Sequence, residues 1–243
     1  MTPCLRKPAK PSLGQAVLGV LVVIPLFITG CARSGPPTPG FLLQAQSSLS
    51  QATEAYLTGD SRRATIELSR ARSLSQRSGQ APLLARIELT QCAAQVASLY
   101  WEPCEAFAPL ARDSGIEEQA YHRYLLGSLT PADLRLLPAV HQPVAHALLE
   151  KPADASKVIA QINAVEQPLS RLVAFSVLLR SGWPVESLWP SAVKTAARQG
   201  WRRPLLAWLE LGITNSRSQG NEDMAQQLAR QRDRILGAKS QNQ

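Results

Sequence analysis

Prolines recur near the starts of short helical segments, and this recurrence limits the fold more than any other feature of the sequence. Residues 152–164, 168–179 and 184–198 each begin with proline and continue for about a dozen residues. Proline suits the first helical turn because its φ is already fixed and the N–H it lacks has no partner there. A helix of that length spans about 18 Å. Such helices cannot bury their own apolar stripes, so each must pack against its neighbours.

The composition also favours helices over strands. Alanine, leucine, serine, glutamine and arginine dominate, and aromatic residues make up only 5% of the chain. Sparse β-branched and aromatic residues disfavour sheets, and no long alternation of apolar and polar residues is visible. We therefore expect an all-α protein, an irregular helical bundle or α-solenoid. The predicted units are an N-terminal one over 41–127, a C-terminal one over 128–236 and a disordered tail over 237–243.

The first two predicted helices, 41–57 and 62–77, contain small residues and a Gly-Asp turn at fixed steps: Ala52, Gly59, Asp60, Ala64 and Ala71. This pattern resembles the middle of a tetratricopeptide repeat, in which two helices cross closely and large side chains find no room. Ser48 departs from the large aromatic that is usual there, and Gln76 from the frequent proline. The resemblance covers about one repeat and implies a TPR-like α-solenoid.

The N-terminal region has the layout of an export signal. Arg6, Lys7 and Lys10 precede the uncharged, apolar run 16–29, and no acidic residue accompanies them. As a helix this run would measure about 20 Å, which is too short to cross a bilayer core of about 30 Å. A basic segment followed by a short apolar run is typical of a secretory signal peptide.

The end of this run is Ile28, Thr29, Gly30 and Cys31. It resembles the lipobox of a bacterial lipoprotein, which implies a signal peptide over 1–30 and a lipid on Cys31. Ala32 follows, and in such lipoproteins a residue other than aspartate there implies the periplasmic face of the outer membrane. The protein would thus bind the membrane through its lipid. An ordinary cleaved signal and an uncleaved membrane anchor are the alternatives.

Residues 31–40 follow as a predicted tether, because their prolines and glycines keep a chain extended and unpacked. Without the three basic residues of the leader, the chain carries 23 basic and 18 acidic residues, a net charge of +5. This excess is mild and spread along the sequence, so we expect no nucleic-acid partner. Anionic lipid or glycan surfaces would suit such a charge.

Two cysteines remain after Cys4 and Cys31 are assigned to the leader and the lipid. Cys92 and Cys104 flank a break at 101–103 and would lie in an oxidising compartment, where structural disulfides form. An extended return of the chain through 99–104 would bring the two within bonding distance. A disulfide between them is expected to pin a hairpin. Two buried reduced thiols or a redox site are the alternatives.

The sequence offers no set of residues typical of an active site or a metal centre, so we predict neither an enzyme nor a cofactor. The histidines are His122, His141 and His146. The last two are five residues apart, whereas two ligands on one helical face need four. Residues 191–194 match the S-x-x-K pattern of penicillin-recognising enzymes, but neither S-D-N nor K-T-G accompanies them. We interpret this segment as an ordinary helix face.

Four glutamates are the remaining candidates for chemistry: Glu102, Glu105, Glu117 and Glu118. A pair of carboxylates facing one cleft would suit a glycan hydrolase, whereas acids in a first helical turn simply favour the helix dipole. Aromatic residues crowd two regions, 100–124 and 183–208, where they would form either core or a contact surface.

Two functions are consistent with these features. The first is a lipid-anchored helical scaffold or adaptor that holds an envelope protein partner of the assembly or secretion machinery. The second is a protein that binds or hydrolyses cell-wall glycan, or binds lipid.

Overall fold

The computed structural model describes residues 39–102, 104–150 and 155–240. Every regular element of these residues is helical, and no strand occurs among them. This confirms the predicted all-α fold of short helices packed together. The predicted signal peptide, the lipidation of Cys31 and nearly all of the tether lie outside the described residues. None of the described helices combines the length and apolar character needed to cross a membrane.

The α-helices in chain order are α1 (Gly40–Thr58), α2 (Ser61–Gln76), α3 (Ala81–Ala97), α4 (Ile116–Leu126), α5 (Gln142–Glu150), α6 (Ala155–Asn163), α7 (Pro168–Arg180), α8 (Val185–Gln199), α9 (Arg202–Ser218) and α10 (Glu222–Ser240). Three short 3₁₀ helices lie between α3 and α5, at Ala108–Leu110, Pro131–Leu136 and Ala139–His141.

Helices α1 and α2 form the hairpin expected from the Gly-Asp turn. Gly59 has φ +94°, a left-handed conformation that ends α1 and that glycine adopts without strain. Asp60 then accepts a hydrogen bond from the Arg63 N–H at 3.0 Å and so caps α2. Ala52 and Ala71 are fully buried between the helices, because small side chains allow the two backbones to approach closely.

Helices α3 and α7 lie at the centre of the bundle. All residues from 172 to 178 are buried, so α7 is covered on every side, as expected for a helix that is apolar all round. The buried apolar cluster extends from Leu57 near the start of the described chain to Leu228 in α10. The described residues belong to one compact unit, Thr38–Gln243, and residues on both sides of position 128 contribute to its core.

Helix α9 returns to the beginning of the described chain and packs against α1. The Trp201 indole N–H donates to Glu54 at 2.9 Å. The Arg203 guanidinium donates to the carbonyl of Tyr56 at 2.8 Å and lies 4.3 Å above the centre of the Tyr56 ring. These contacts join the two ends of the bundle.

The segment 128–136 is tied to α4 by its polar side chains. The backbone N–H and the hydroxyl of Thr130 both donate to Asp133, at 2.8 and 2.9 Å, and Arg123 of α4 pairs with the same carboxylate. The hydrogen bond from Arg123 is the main cause that lowers the pKa of Asp133 to about 2. A buried carboxylate thus fixes this connection.

Prolines influence several of the helix boundaries. Between residues 104 and 112 only Ala108–Leu110 forms a short 3₁₀ turn, since Pro109 lacks the N–H a longer helix would use. Pro143 lies in the first turn of α5, where the N–H that proline lacks has no partner within the helix. Pro190 lies inside α8 without ending it. Helix α10 continues to Ser240, beyond position 236 where the sequence placed its end.

Candidate functional site

The turn that follows α3 holds a leucine in a conformation usually reserved for glycine. Leu99 has φ +60° and is the only non-glycine residue with positive φ among those described. For an L-residue this conformation costs about 1–2 kcal/mol. The Tyr100 N–H donates to the carbonyl of Gln95 at 3.0 Å, which is how a left-handed residue closes a helix end. Backbone strain of this kind clusters at functional sites.

The strained turn presents two large aromatic side chains at the surface. Tyr100 is 50% exposed and Trp101 is 38% exposed. We call residues 99–102 and 104–107 the aromatic loop. Exposed tyrosine and tryptophan side chains that lie together are typical of contact surfaces, because they offer much apolar area at a small cost in conformational entropy.

The aromatic loop is held at three points. A disulfide joins Cys104 to Cys92 of α3, with their Cα atoms 5.4 Å apart, which is the pairing expected from the sequence. The Trp101 indole N–H donates to the hydroxyl of Ser176 in α7 at 2.9 Å. Phe107 is fully buried and packs against the ring of His122 at 4.6 Å between centroids. The loop is therefore fixed and not free to fold back onto the core.

A groove of about 320 Å³ lies beside the aromatic loop, and α2 and α3 form its other walls. We call it the loop groove. Its lining residues are Leu68, Arg72, Glu88, Gln91, Cys92, Gln95, Tyr100, Glu102, Cys104, Glu105 and Ala106. Tyrosine, arginine and glutamine side chains thus line one groove, together with the disulfide.

Some charged side chains of the loop groove form ion pairs and others do not. Arg72 donates two hydrogen bonds to Glu88, each 2.6 Å long, and Glu88 is only 6% exposed. The hydrogen bonds that Arg72 donates to Glu88 raise the pKa of Arg72. Glu102 and Glu105 are exposed, and neither makes an ion pair with any other described residue. The groove therefore carries two uncompensated negative charges.

The aromatic surface continues from the loop onto α1. Burial raises the pKa of Tyr56 above its ordinary value, the Arg203 charge lowers it, and neighbouring Tyr100 raises it again. Tyr56 thus contacts Arg203 directly and interacts electrostatically with Tyr100. Arg203 also donates to the hydroxyl of Ser61 at 2.9 Å, which fixes its position.

The structure separates the four candidate glutamates into two grooves. Glu102 and Glu105 lie together in the loop groove. Glu117 and Glu118 line a second groove of about 570 Å³ beside α4. Glu118 is buried and accepts a hydrogen bond from Arg86 of α3 at 2.6 Å, so this carboxylate is held in an ion pair between two helices.

The candidate histidines have separate surroundings. His141 is buried against Tyr121 and Tyr124, with ring centroids 5.5 and 4.8 Å away. His146 is exposed and lies 3.6 Å from Glu150. Within residues 39–102, 104–150 and 155–240, no group of three or more histidine, cysteine or acidic side chains could hold a metal ion.

The S-x-x-K segment forms part of helix α8. The Ser191 hydroxyl accepts a hydrogen bond from the side chain of Asn163 at 3.3 Å, and Lys194 is exposed.

The aromatic residues divide between the two expected roles. Phe107, Tyr124 and Trp208 belong to the core, whereas the adjacent pair Tyr100 and Trp101 forms surface.

Comparisons with known proteins find no match to this chain among protein-family models, curated proteins or solved structures. The candidate site therefore rests on the geometry of the chain itself.

Proposed function

We propose that this protein is a lipid-anchored helical scaffold or adaptor that binds an envelope protein partner through the aromatic loop and the loop groove. The observation that carries the proposal is the exposure of Tyr100 and Trp101 on a loop that is fixed at three points. Tyrosine, tryptophan and arginine dominate the energetic centres of protein interfaces, and Tyr100 and Trp101 are adjacent, exposed members of this set.

The rigidity of the loop supports a role in binding. A side chain that is already held in place loses little conformational entropy when a partner covers it. The hydrogen bond from Trp101 to buried Ser176 and the disulfide at Cys104 provide this restraint. Leu99 bears the backbone strain that turns the loop outward.

The experiment that tests this proposal is site-specific crosslinking in intact envelopes. We expect photoactivatable benzoylphenylalanine in place of Tyr100 to crosslink one envelope protein in stoichiometric yield, identified by mass spectrometry. The matched control replaces Ile66, which is 57% exposed on α2 and is two residues, or about 200° around the helix, from the groove residue Leu68. Equal crosslinking from both positions, or from neither, would contradict the proposal.

The proposed location is the periplasmic face of the outer membrane, and it is supported by the resemblance of residues 1–31 to a lipoprotein signal. We expect replacement of Cys31 by alanine to abolish incorporation of labelled palmitate and to release the protein from the membrane fraction. The measurement is metabolic labelling followed by fractionation. Palmitate that still enters this variant would place the anchor elsewhere.

The second candidate is binding or hydrolysis of a cell-wall glycan, or binding of a lipid. It is favoured by one observation, the presence of Glu102 and Glu105 in a single groove next to Tyr100. Both carboxylates are exposed, whereas the proton donor of a glycosidase usually lies in an apolar pocket that keeps it protonated. Recovery of glycan or lipid with the protein, in place of a crosslinked partner, would favour this function.

A further inference from the structure

We infer that the loop groove receives a basic segment of the partner, a short stretch of chain that inserts a lysine or arginine side chain between Glu102, Glu105 and Tyr100. The inference rests on the proposed function, because it names the chemistry of the partner that this site would select. It follows from which charges of the groove are already paired and which are not.

Among the described residues that line the groove, Arg72 is the one cation, and it is already paired. Both hydrogen bonds from Arg72 go to Glu88, in the two-pronged geometry that arginine and carboxylate prefer. Glu88 is buried, and Arg72 is its ion-pair partner within the described part of the chain, so Arg72 stays in this pair. Glu102 and Glu105 therefore remain as acceptors for a cation that comes from outside the protein.

Neutral groups of the groove suit the same ligand. Gln91 and Gln95 lie along one face of α3, and their side-chain carbonyls can accept hydrogen bonds from an ammonium or a guanidinium group. The Tyr100 ring adds an aromatic face, which attracts cations and stacks with the guanidinium plane. Carboxylates, amides and an aromatic ring together form a set of acceptors for a basic side chain.

The size of the groove restricts the ligand to a short segment. A volume of about 320 Å³ is at the lower end of the range of about 300–1,000 Å³ for small-molecule sites. It holds one long side chain and the backbone next to it. The neighbouring exposed Trp101 would then cover an apolar residue of the same segment, outside the charged part of the groove.

The overall charge of the protein makes this selectivity testable. Without the leader, the chain carries 23 basic and 18 acidic residues, a net charge of +5, so non-specific electrostatics repel a basic peptide. Attraction of such a peptide must come from a local arrangement of acids, and the charge dependence of binding can therefore be assigned to residues.

The test measures binding of two fluorescein-labelled peptides to the full lipidated chain in detergent micelles, by fluorescence anisotropy. The probes are Gly-Ser-Arg-Gly-Ser-Arg-Gly and the same peptide with glutamine in place of arginine. We expect the arginine peptide to bind at least tenfold more tightly than the glutamine peptide. The double replacement Glu102→Gln and Glu105→Gln should remove this preference, and raised salt should weaken it because ionic contacts are screened.

A matched control removes two other exposed carboxylates, Glu117→Gln and Glu186→Gln, and so gives the same net charge. We expect this variant to bind the arginine peptide within twofold of the unmodified protein. Equal weakening by both double variants would show that only the net charge matters, and a lack of preference between the peptides would equally overturn the inference. Circular dichroism checks that each variant folds.

This result and the crosslinking result can fail separately. A protein partner crosslinked from position 100, together with peptide binding that ignores Glu102 and Glu105, would overturn the basic segment and keep the scaffold. Peptide binding as expected, without any crosslinked protein, would keep the acceptor site and contradict the scaffold.

Discussion

Replacement of Cys104 by serine lowers the free energy of unfolding by about 2–4 kcal/mol under oxidising conditions, which is the usual contribution of one disulfide. The bond to Cys92 closes a small loop that includes the strained turn at Leu99. Without it, the unfolded chain gains conformational freedom, and the folded chain keeps only weaker contacts to hold the loop. Urea denaturation with and without a reductant measures the difference.

The reductant separates the two possible causes of this loss. With the bond already reduced, the serine variant and the unmodified protein should have nearly the same stability. The same loss in both conditions would mean that packing of the buried Cys104 side chain, and not the covalent bond, stabilises the fold. Replacement of Cys92, which is buried on the other side of the bond, serves as an independent check.

The second large effect is a loss of stability as the pH falls from 6.5 to about 4. Burial lowers the pKa of His141 to about 4, because the ring is only 3% exposed and packs between tyrosines. An unfolded histidine takes up a proton near pH 6.5, so the unfolded state binds more protons throughout this interval. The stability is complete above pH 6.5 and falls by about 3 kcal/mol toward pH 4.

The variant His141→Phe tests this effect because phenylalanine keeps an aromatic ring beside Tyr124 and carries no proton. We expect its unfolding free energy, measured by urea denaturation at a series of pH values, to lose most of the slope between pH 6.5 and 4. A small slope remains because burial, with help from the Arg123 charge, also lowers the pKa of His122. Asp133 acts in another interval, since its pKa of about 2 removes stability only below pH 3.8. An unchanged slope in the phenylalanine variant would contradict the role of His141.

The helices were predictable where local chemistry determines them. Gly59 and Asp60 end one helix and cap the next within two residues, and Pro168 begins α7 at the predicted position. These signals depend on φ preferences and on one hydrogen bond each, so they can be recognised without knowledge of the rest of the fold. Prolines farther inside a segment were harder to interpret, because Pro190 is tolerated within α8.

The site was only partly predictable. The pairing of Cys92 with Cys104 and the cluster of aromatic residues were visible in the sequence, and so were Glu102 and Glu105. The outward turn of Tyr100 and Trp101 was not, because it depends on Leu99 in a left-handed conformation that no sequence rule assigns to leucine. Nor does the sequence show that Arg72 forms an ion pair with Glu88, sixteen residues away. Both facts arise from tertiary packing.

The contact between α1 and α9 has a consequence for the order in which the protein folds. Trp201 and Arg203 bond to residues 147 positions earlier in the chain. The α1–α2 hairpin can form as soon as it has been synthesised, yet its partner surface does not exist until nearly the whole chain is available. Contacts between such distant residues slow folding. The chain loses conformational entropy when it closes a long loop, before the contacts that stabilise the loop have formed. The part of α1 that contacts Trp201 and Arg203 therefore stays uncovered until α9 has been synthesised.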